Sequence, residues 1–443
     1  MKKYDSYKDS GVELIGEIPI HWEITKLKNL SSIFGRIGFR GYTVEDIVEK
    51  GNGAITLSPS NIIEQKLTLD KNTYLSWEKY NESPEIQIKN GDVILVKTAS
   101  VGKVAYIKHL SEPATLNPQL VVFKSLGINN KYLYYLLISD VVQIQIKSDL
   151  VGGVVPTLSQ SIIKNYYIPK NSIEEQTAIA NYLDQKTNQI DHLIAKKGQF
   201  IQLLEEERVA VINQAVTKGL DPNVSMKDSG IEWLGEIPKH WSYSSLKWYS
   251  KIYSGGTPSK DVEDYWLNGT IPWLNSGCVN QWDITEVSDY ITEEAFKNSS
   301  AKWIPNKSLV IALAGQGKTK GMVAQVQFET TCNQSLGVIV PNEKIYNRFL
   351  QYWLKNNYQN IRSLGGGDKR DGLNLVMIGG IPIPVLPLNE QEKISNYLDS
   401  INLEIDSIKA KTEQEIELLK EYKTALISEV VTGKVDVRNE ILN

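Results

Sequence analysis

The sequence predicts an α+β protein. Two tandem domains of mixed structure are each followed by a long helix, and the two helices pair antiparallel as an intramolecular coiled coil about an approximate two-fold axis. Three observations predict this. A string running from Asp9 to Trp22 returns, with few changes, from Asp228 to Trp241. A second pair closes each half: Glu175-Gln176 with Asn181-Tyr182-Leu183-Asp184, against Glu390-Gln391 with Asn396-Tyr397-Leu398-Asp399. The segment after each closing pair carries apolar residues at alternating three- and four-residue steps, the signature of a heptad seam. A repeat this long exceeds the roughly 20–50-residue period of solenoids, so a whole domain with its helix is duplicated.

Each half begins with the strap Asp-Ser-Gly-x-Glu-x-x-Gly-x-Ile-Pro-x-His-Trp. Its glycines, proline and short apolar pieces predict an ordered extended segment rather than a helix. Strand-like runs follow: Asp92–Val96 and Leu120–Phe123 in the first half, Ser308–Leu313 and Leu336–Val340 in the second. Each is bounded by Gly, Asn, Pro or Ser, as strands are. One helix per domain is expected, over Lys131–Leu137 and Arg348–Leu354.

In the second long helix the expected packing residues are Ile394, Leu398, Ile401, Ile405, Ile408, Leu419, Tyr422 and Leu426, interrupted by Thr412 and Glu415. In the first they are Leu183, Ile190, Leu204 and Val211, interrupted by Lys197, with Leu193, Ile194, Phe200 and Ile201 widening the seam. Prolines precede each helix (Pro169; Pro384 and Pro387), and Gly219 and Gly433 end them. About 40 helical residues span roughly 60 Å. The resulting division is 1–170 and 220–388 for the domains, 171–219 and 389–443 for the helices.

The chain has 443 residues and a formal charge of −4. The charge is uneven: residues 1–170 carry 20 Lys and Arg against 17 Asp and Glu, and residues 389–443 carry 7 against 12. The acidity therefore sits in the helical segments. No run approaches the ~18 apolar residues of a membrane span, and the start is not a secretory signal, so a cytoplasmic protein is expected. Cys278 and Cys332 cannot make a disulfide framework or a four-cysteine metal site. Buried thiols are expected.

No motif supports catalysis, a cofactor or a metal. The segment Ala312–Thr319 resembles a phosphate-binding loop, but its sequel reads as a strand, where such a loop must open a helix. A hairpin tip carrying Gln316, Lys318 and Lys320 is expected instead. Its first-copy counterpart carries Lys97, Ser100 and Lys103. Asn117-Pro118-Gln119 lacks the second proline and the aromatic of an adenine-methyltransferase signature. Glu64-Gln65-Lys66 has the spacing of a nuclease metal site without its upstream Pro-Asp.

Further glycine-rich loops offer Thr257, Ser259 and Lys260 in the second copy and Arg36 and Arg40 in the first. A later loop of the second copy carries Lys369 and Arg370. Glycine allows close backbone approach to a duplex, and such side chains can contact phosphates or base edges. These residues are the candidate DNA contacts, with a plain solvated surface turn as the alternative reading of each loop. The copies agree in straps and helices and differ in loops, which implies different tasks on one scaffold.

The sequence resembles the specificity subunit of type I restriction-modification systems. The paired straps, the Ser-Gly-Gly-Thr-Pro-Ser loop at 254–259 and Leu388-Asn389-Glu390-Gln391 carry the resemblance. The first half has Phe34–Tyr42 in place of that loop, with two arginines. The resemblance implies two target-recognition domains, each reading half of a split double-stranded DNA site, with helices that set the gap. It also implies docking of methyltransferase (M) subunits, the joining of restriction (R) subunits, and catalysis performed by those partners. A tandem protein–protein adaptor without DNA specificity is the alternative at this point.

Overall fold

The computed structural model describes residues 2–36, 41–150, 156–231, 234–315, 318–365 and 372–440. The chain forms two compact units: Met1–Gly198 with Glu413–Asn443, and Gln199–Thr412. Each unit therefore holds one mixed domain, the start of one long helix and the end of the other.

In unit one an antiparallel sheet has the order Val104–Tyr106, Val93–Val96, Leu120–Ser125, Ser31–Phe34. A second sheet has the order Ala114–Leu116, Gly53–Leu57, Tyr74–Ser76, Ile47–Val48. The unbroken run Val93-Ile94-Leu95-Val96 follows from its burial on both faces. Ile94 and Val96 join the core between the sheets, with Ile55, Leu57 and Leu116. Val93 and Leu95 join a second core, against Tyr132, Leu133 and Leu136 of the helix Asn130–Ile138.

Unit two repeats this plan. Val310 and Ala312 face one core and Leu309 and Ile311 the other, where Phe349, Leu350 and Trp353 of the helix Asn347–Asn356 lie. Its main sheet has five strands among the described residues, because Asp283–Ile284 joins in parallel to Val323–Val326. In unit one the corresponding stretch is the hairpin Ile62–Ile63 with Lys66–Leu67.

The straps are short hairpins, Tyr7–Asp9 with Glu17–Pro19 and Met226–Asp228 with Glu236–Pro238. Their sequence explains the turn. Gly11 and Gly230 donate to Asp9 and Asp228 Oδ1 at 2.9 and 3.0 Å, with φ of +71° and +72°. That conformation favours glycine after an Asx turn. Glu232 and Trp233 of the second strap lie outside the described residues.

The long helices run Ile173–Lys218 and Leu388–Val431. In unit one, Asp191 pairs with Lys423 at 2.6 Å and Lys197 pairs with Glu415. In unit two, Glu205 pairs with Lys409 at 2.5 Å and Arg208 pairs with Asp406. Residue numbers rise on one helix as they fall on the other, so the helices run antiparallel within each unit. The expected seam interruptions Lys197 and Glu415 are thus each other's partners.

Leu183, Ile190, Leu204, Ile394, Leu398, Ile405 and Leu426 are buried, and Val211, Ile401, Ile408 and Leu419 are half-buried. Tyr422 departs from the expected packing at 47 % exposure, and so do Leu193 and Phe200, each at 44 %. A three-four spacing fixes a stripe, and residues on its flank face solvent once the narrower seam is filled.

Gly219 and Gly433 end the helices in the left-handed region, at φ +76° and +75°. Their surroundings differ. A Cβ on Gly433 would stand 2.4 Å from Pro19 Cδ and 3.1 Å from Trp22 Cη2; on Gly219 the nearest atom is Trp241 Cζ2 at 3.4 Å. Gly219→Ala is expected to cost about 1–2 kcal/mol, the backbone penalty alone. Gly433→Ala adds overpacking against the strap, for about 2–5 kcal/mol in total. Denaturant unfolding of the two variants checks this, and equal losses would refute the packing argument.

Candidate nucleic-acid interface

The repeated closing motif is a set of joints that fixes each domain to its helix. Glu175 is buried and accepts from Tyr4 Oη at 2.7 Å, with His21 Nε2 at 3.1 Å. Glu390 accepts from Trp241 Nε1 at 3.0 Å, with His240 Nε2 at 2.9 Å. Trp22 is as buried as Trp241, but its Nε1 has no acceptor among the described residues. The neighbouring glutamine satisfies a backbone N–H at the start of the domain helix, where intrahelical acceptors are lacking. Gln176 Oε1 accepts from Asn129 N at 2.8 Å, and Gln391 Oε1 from Tyr346 N at 2.7 Å.

The aspartate that ends the motif completes the joint. Asp184 accepts from Tyr135 Oη at 2.7 Å and pairs with Lys131. Asp399 accepts from Tyr352 Oη at 2.6 Å and pairs with Arg348 at 3.0 Å. A further joint is peculiar to the first copy. Lys66, at the tip of the Ile62–Leu67 hairpin, reaches Asp191 at 2.7 Å, and Gln65 Oε1 accepts from Val104 N. Burial would raise the Asp191 carboxyl, but the hydrogen bonds and charges of Lys423 and Lys66 outweigh it and hold it below the usual range. The Glu-x-Lys triplet is accordingly an anchor.

With the frame fixed, the variable loops of each unit gather at one end of its main sheet. In unit one Lys97 N donates to Gln119 O at 2.8 Å and Ala99 N to Pro156 O at 3.0 Å, which joins the hairpin, the Asn117–Gln119 turn and the segment after residue 155. Gly35 is packed there too, since a Cβ on it would lie 3.0 Å from Gln160 Nε2. In unit two Gly256 N donates to Cys332 O at 2.8 Å, Thr257 Oγ1 bonds Gln334 Oε1, and Leu373 N donates to Leu313 O at 2.7 Å.

The Ser-Gly-Gly-Thr-Pro-Ser loop needs its glycines for internal packing, a reason different from approach to a duplex. A Cβ on Gly255 would sit 2.1 Å from Cys332 O, and one on Gly256 2.4 Å from Ser300 C. Two tryptophans clamp the loop: Trp273 Nε1 donates to Gly256 O at 3.1 Å and Trp266 Nε1 to Ser259 O at 3.0 Å. Ser259 and Lys260 are thereby held exposed.

The candidate contacts divide by exposure. Lys103, Ser259, Lys260 and Lys318 are exposed, and Lys97, Ser100 and Thr257 half-buried. Burial lowers the Lys97 amine below the usual lysine range. Arg36 and Lys320 are buried at 4 % exposure. Arg36 donates to Leu116 O at 3.0 Å and Thr115 Oγ1 at 3.2 Å, so its guanidinium braces the strand Ala114–Leu116 rather than facing outward. Arg40, Gln316, Lys369 and Arg370 lie outside the described residues. Sequence reasoning left Gln119 and Gln334 out of the candidate contacts, although both stand on these gathered loops and the recurring Asn at 117 and 333 marked the turn that carries them.

The strand Leu309–Ala312 pairs antiparallel with Val323–Val326, so the phosphate-loop-like segment joins two strands. Burial pushes the Cys278 and Cys332 thiols up to about 12, which leaves them poor nucleophiles. Among the described residues no group of three or more His, Cys, Asp or Glu could hold a metal ion, and no helix is long and apolar enough to cross a membrane. The gathered loops offer hydrogen-bonding groups and positive charge.

Known proteins share this construction. The family model for the type I restriction modification DNA specificity domain matches residues 19–202 and again 238–418. Over 434 residues the chain is 27% identical to a putative type I restriction enzyme MjaX specificity subunit of Methanocaldococcus jannaschii, covering 96% of each. It is 32% identical over 205 residues to the EcoR124I/EcoR124II specificity subunit of Escherichia coli, a match spanning 45% of this chain and 47% of that subunit. The fold is similar to that of the HsdS subunit from Thermoanaerobacter tengcongensis, with a TM-score of 0.60 at 16% identity over 94% of this chain and 98% of that one. A chain from a type I R-M system, solved for its complex assembly and conformational transition, gives 0.70 at 15% identity, over 94% and 99%. The family match covers both halves and most of the sequence: the chain belongs to the specificity subunits of type I restriction-modification systems, the non-catalytic components that recognise the DNA target.

Proposed function

We propose that each half of the chain reads one half of a split double-stranded DNA site. The observation that carries this reading is the gathering of the variable loops at one end of each main sheet, on a frame that the two copies share. The domains are residues 1–170 and 220–388, and the helical segments 171–219 and 389–443. The helices form an intramolecular antiparallel coiled coil with pseudo-two-fold symmetry, and their length sets the spacer between half-sites. The four helix–helix ion pairs and the buried seam support that arrangement.

Lys97, Ser100 and Lys103 contact the first half-site, and Thr257, Ser259, Lys260 and Lys318 the second. Arg40, Gln316, Lys369 and Arg370 belong to the same proposal on sequence grounds, while the burial of Arg36 and Lys320 removes them from it. Methyltransferase subunits dock on the helices and domains, and restriction subunits join through the complex. The complex works in the cytoplasm on DNA.

Assembled with its methyltransferase subunits, the chain is expected to bind a two-part sequence with affinity that falls steeply with salt, as phosphate contacts require. Genome-wide mapping of methylated bases in cells carrying the complex identifies both halves. Methylation confined to a continuous sequence, or salt-insensitive binding, would falsify this reading.

A further inference from the structure

The two copies build the same backbone stack at the loop end and furnish it differently. In unit one, Asn117 Oδ1 accepts from Gln119 N at 2.9 Å, Lys97 N donates to Gln119 O at 2.8 Å, and Leu158 N donates to Lys97 O at 2.7 Å. In unit two, Asn333 Oδ1 accepts from Ser335 N at 3.1 Å, Leu313 N donates to Ser335 O at 2.8 Å, and Leu373 N donates to Leu313 O at 2.7 Å. Every bond has its counterpart. The side chains at matching positions do not: Lys97 against Leu313, Thr98 against Ala314, Pro118 against Gln334, Gln119 against Ser335.

One glutamine stands on the turn in each copy, at neighbouring positions. Gln334 is exposed and Gln119 half-buried. Both have the side-chain oxygen tied down within the site. Asn117 Nδ2 donates to Gln119 Oε1 at 3.0 Å, and Thr257 Oγ1 donates to Gln334 Oε1. In unit one the orientation follows from the network. Asn117 Oδ1 is committed to the Gln119 backbone N–H, so its other end is the NH2 donor, and the Gln119 atom facing it must be the oxygen. Gln119 Nε2 then remains as a donor with no acceptor among the described residues, and Gln334 Nε2 does the same with the Thr257 hydroxyl donating to Gln334 Oε1. An amide held in one orientation has less freedom to lose on binding than a free side chain.

We infer that Gln119 and Gln334 are specificity-determining residues, each presenting an oriented amide NH2 to an acceptor on a base edge, and that shifting the glutamine by one position along a common turn makes the two copies read different bases. The acceptors available in the major groove are purine N7, guanine O6 and thymine O4. The inference rests on the DNA-reading role proposed above and names residues within it.

The test uses the full chain with its methyltransferase subunits and mapping of methylated sites. Gln119→Glu and Gln334→Glu keep the oxygen that Asn117 and Thr257 bind but replace the outward donor with an acceptor. Gln119→Ala and Gln334→Ala remove the group. Each Glu variant is expected to lose the parental base at one position of one half-site by about 10- to 100-fold, and each Ala variant to relax that same position. The Gln119 variants affect one half-site and the Gln334 variants the other. If the parental chain methylates a split site and all four variants keep its sequence, the inference fails and the DNA-reading role stands. A uniform drop at every site with the base pattern unchanged also overturns it, because that is a loss of general affinity. If the parental complex methylates no split site, the DNA-reading role fails and takes this inference with it.

Discussion

Deleting residues 194–200 together with 414–420 is expected to change the spacer tolerated between half-sites and leave both half-site sequences unaltered. One heptad is removed from each helix, about 10 Å at 1.5 Å per residue, or about three base pairs of rise. The deletion is matched because the pairing is. Asp191 to Arg208 on one helix is the same number of positions as Lys423 to Asp406 on the other, so both ion pairs survive. Lys197 and Glu415, which pair with each other, leave together. Whole heptads also keep each remaining seam residue facing its partner. On the parental site the two domains can no longer engage both halves at once. With about 1–3 kcal/mol per base pair read, methylation there falls by at least about a hundredfold. Sites with an altered spacer take its place in the methylation map. Deleting 194–200 alone shifts one helix against the other, separates Arg208 from Asp406 or Asp191 from Lys423, and is expected to abolish activity at every spacer. A parental spacer retained after the matched deletion removes the helices' role as a ruler.

The frame was legible because its signals are periodic or duplicated. The run Val93-Ile94-Leu95-Val96 announces a strand buried on both faces, and the stripe from Ile394 to Ile408 announces a packed helix. The recurrence of Glu175-Gln176 at Glu390-Gln391 marked a joint, although which atoms it joins was beyond sequence. Tyr4 and Glu175 meet only in the folded chain, as do Lys66 and Asp191. The same limit explains the loops. Arg36 in a glycine-rich stretch has the composition of an exposed contact, yet its acceptors at Thr115 and Leu116 are supplied from a distant strand. Gly255 and Gly256 suit a surface loop by composition, but Cys332 and Ser300 press against them. Lys197 and Glu415 looked like flaws in two seams because each was read on its own helix. Side-chain partners distant in sequence leave no periodic trace, and the contact residues depend on such partners.

Replacing residues 242–385 with the corresponding stretch of another specificity subunit is expected to change one half-site completely and leave the other untouched. The domain begins and ends in one ribbon: Ser242–Ser245 pairs antiparallel with Pro382–Val385, and Ser242 stands opposite Val385. The first copy has the same device, Glu23–Lys26 against Tyr167–Lys170. Both cut points therefore lie side by side, and the strap, with Trp241 on Glu390, stays with the host. The incoming domain must supply what the host helix expects: a backbone N–H and a carbonyl for Gln391, and a hydroxyl and a cation for Asp399, as Tyr346, Lys344, Tyr352 and Arg348 do here. A domain lacking them leaves the half-exposed Asp399 carboxylate unpaired and the Oε1 of the buried Gln391 without its donor, the latter at about 1–3 kcal/mol. With the joints kept, each base of the exchanged half-site should switch by about 1–3 kcal/mol, roughly 5- to 150-fold per position. Residues 1–241 are not altered, so the first half-site should read as before. A methylation map in which both halves change would mean that the domains do not read independently, and that the loops of one copy depend on the other for their shape.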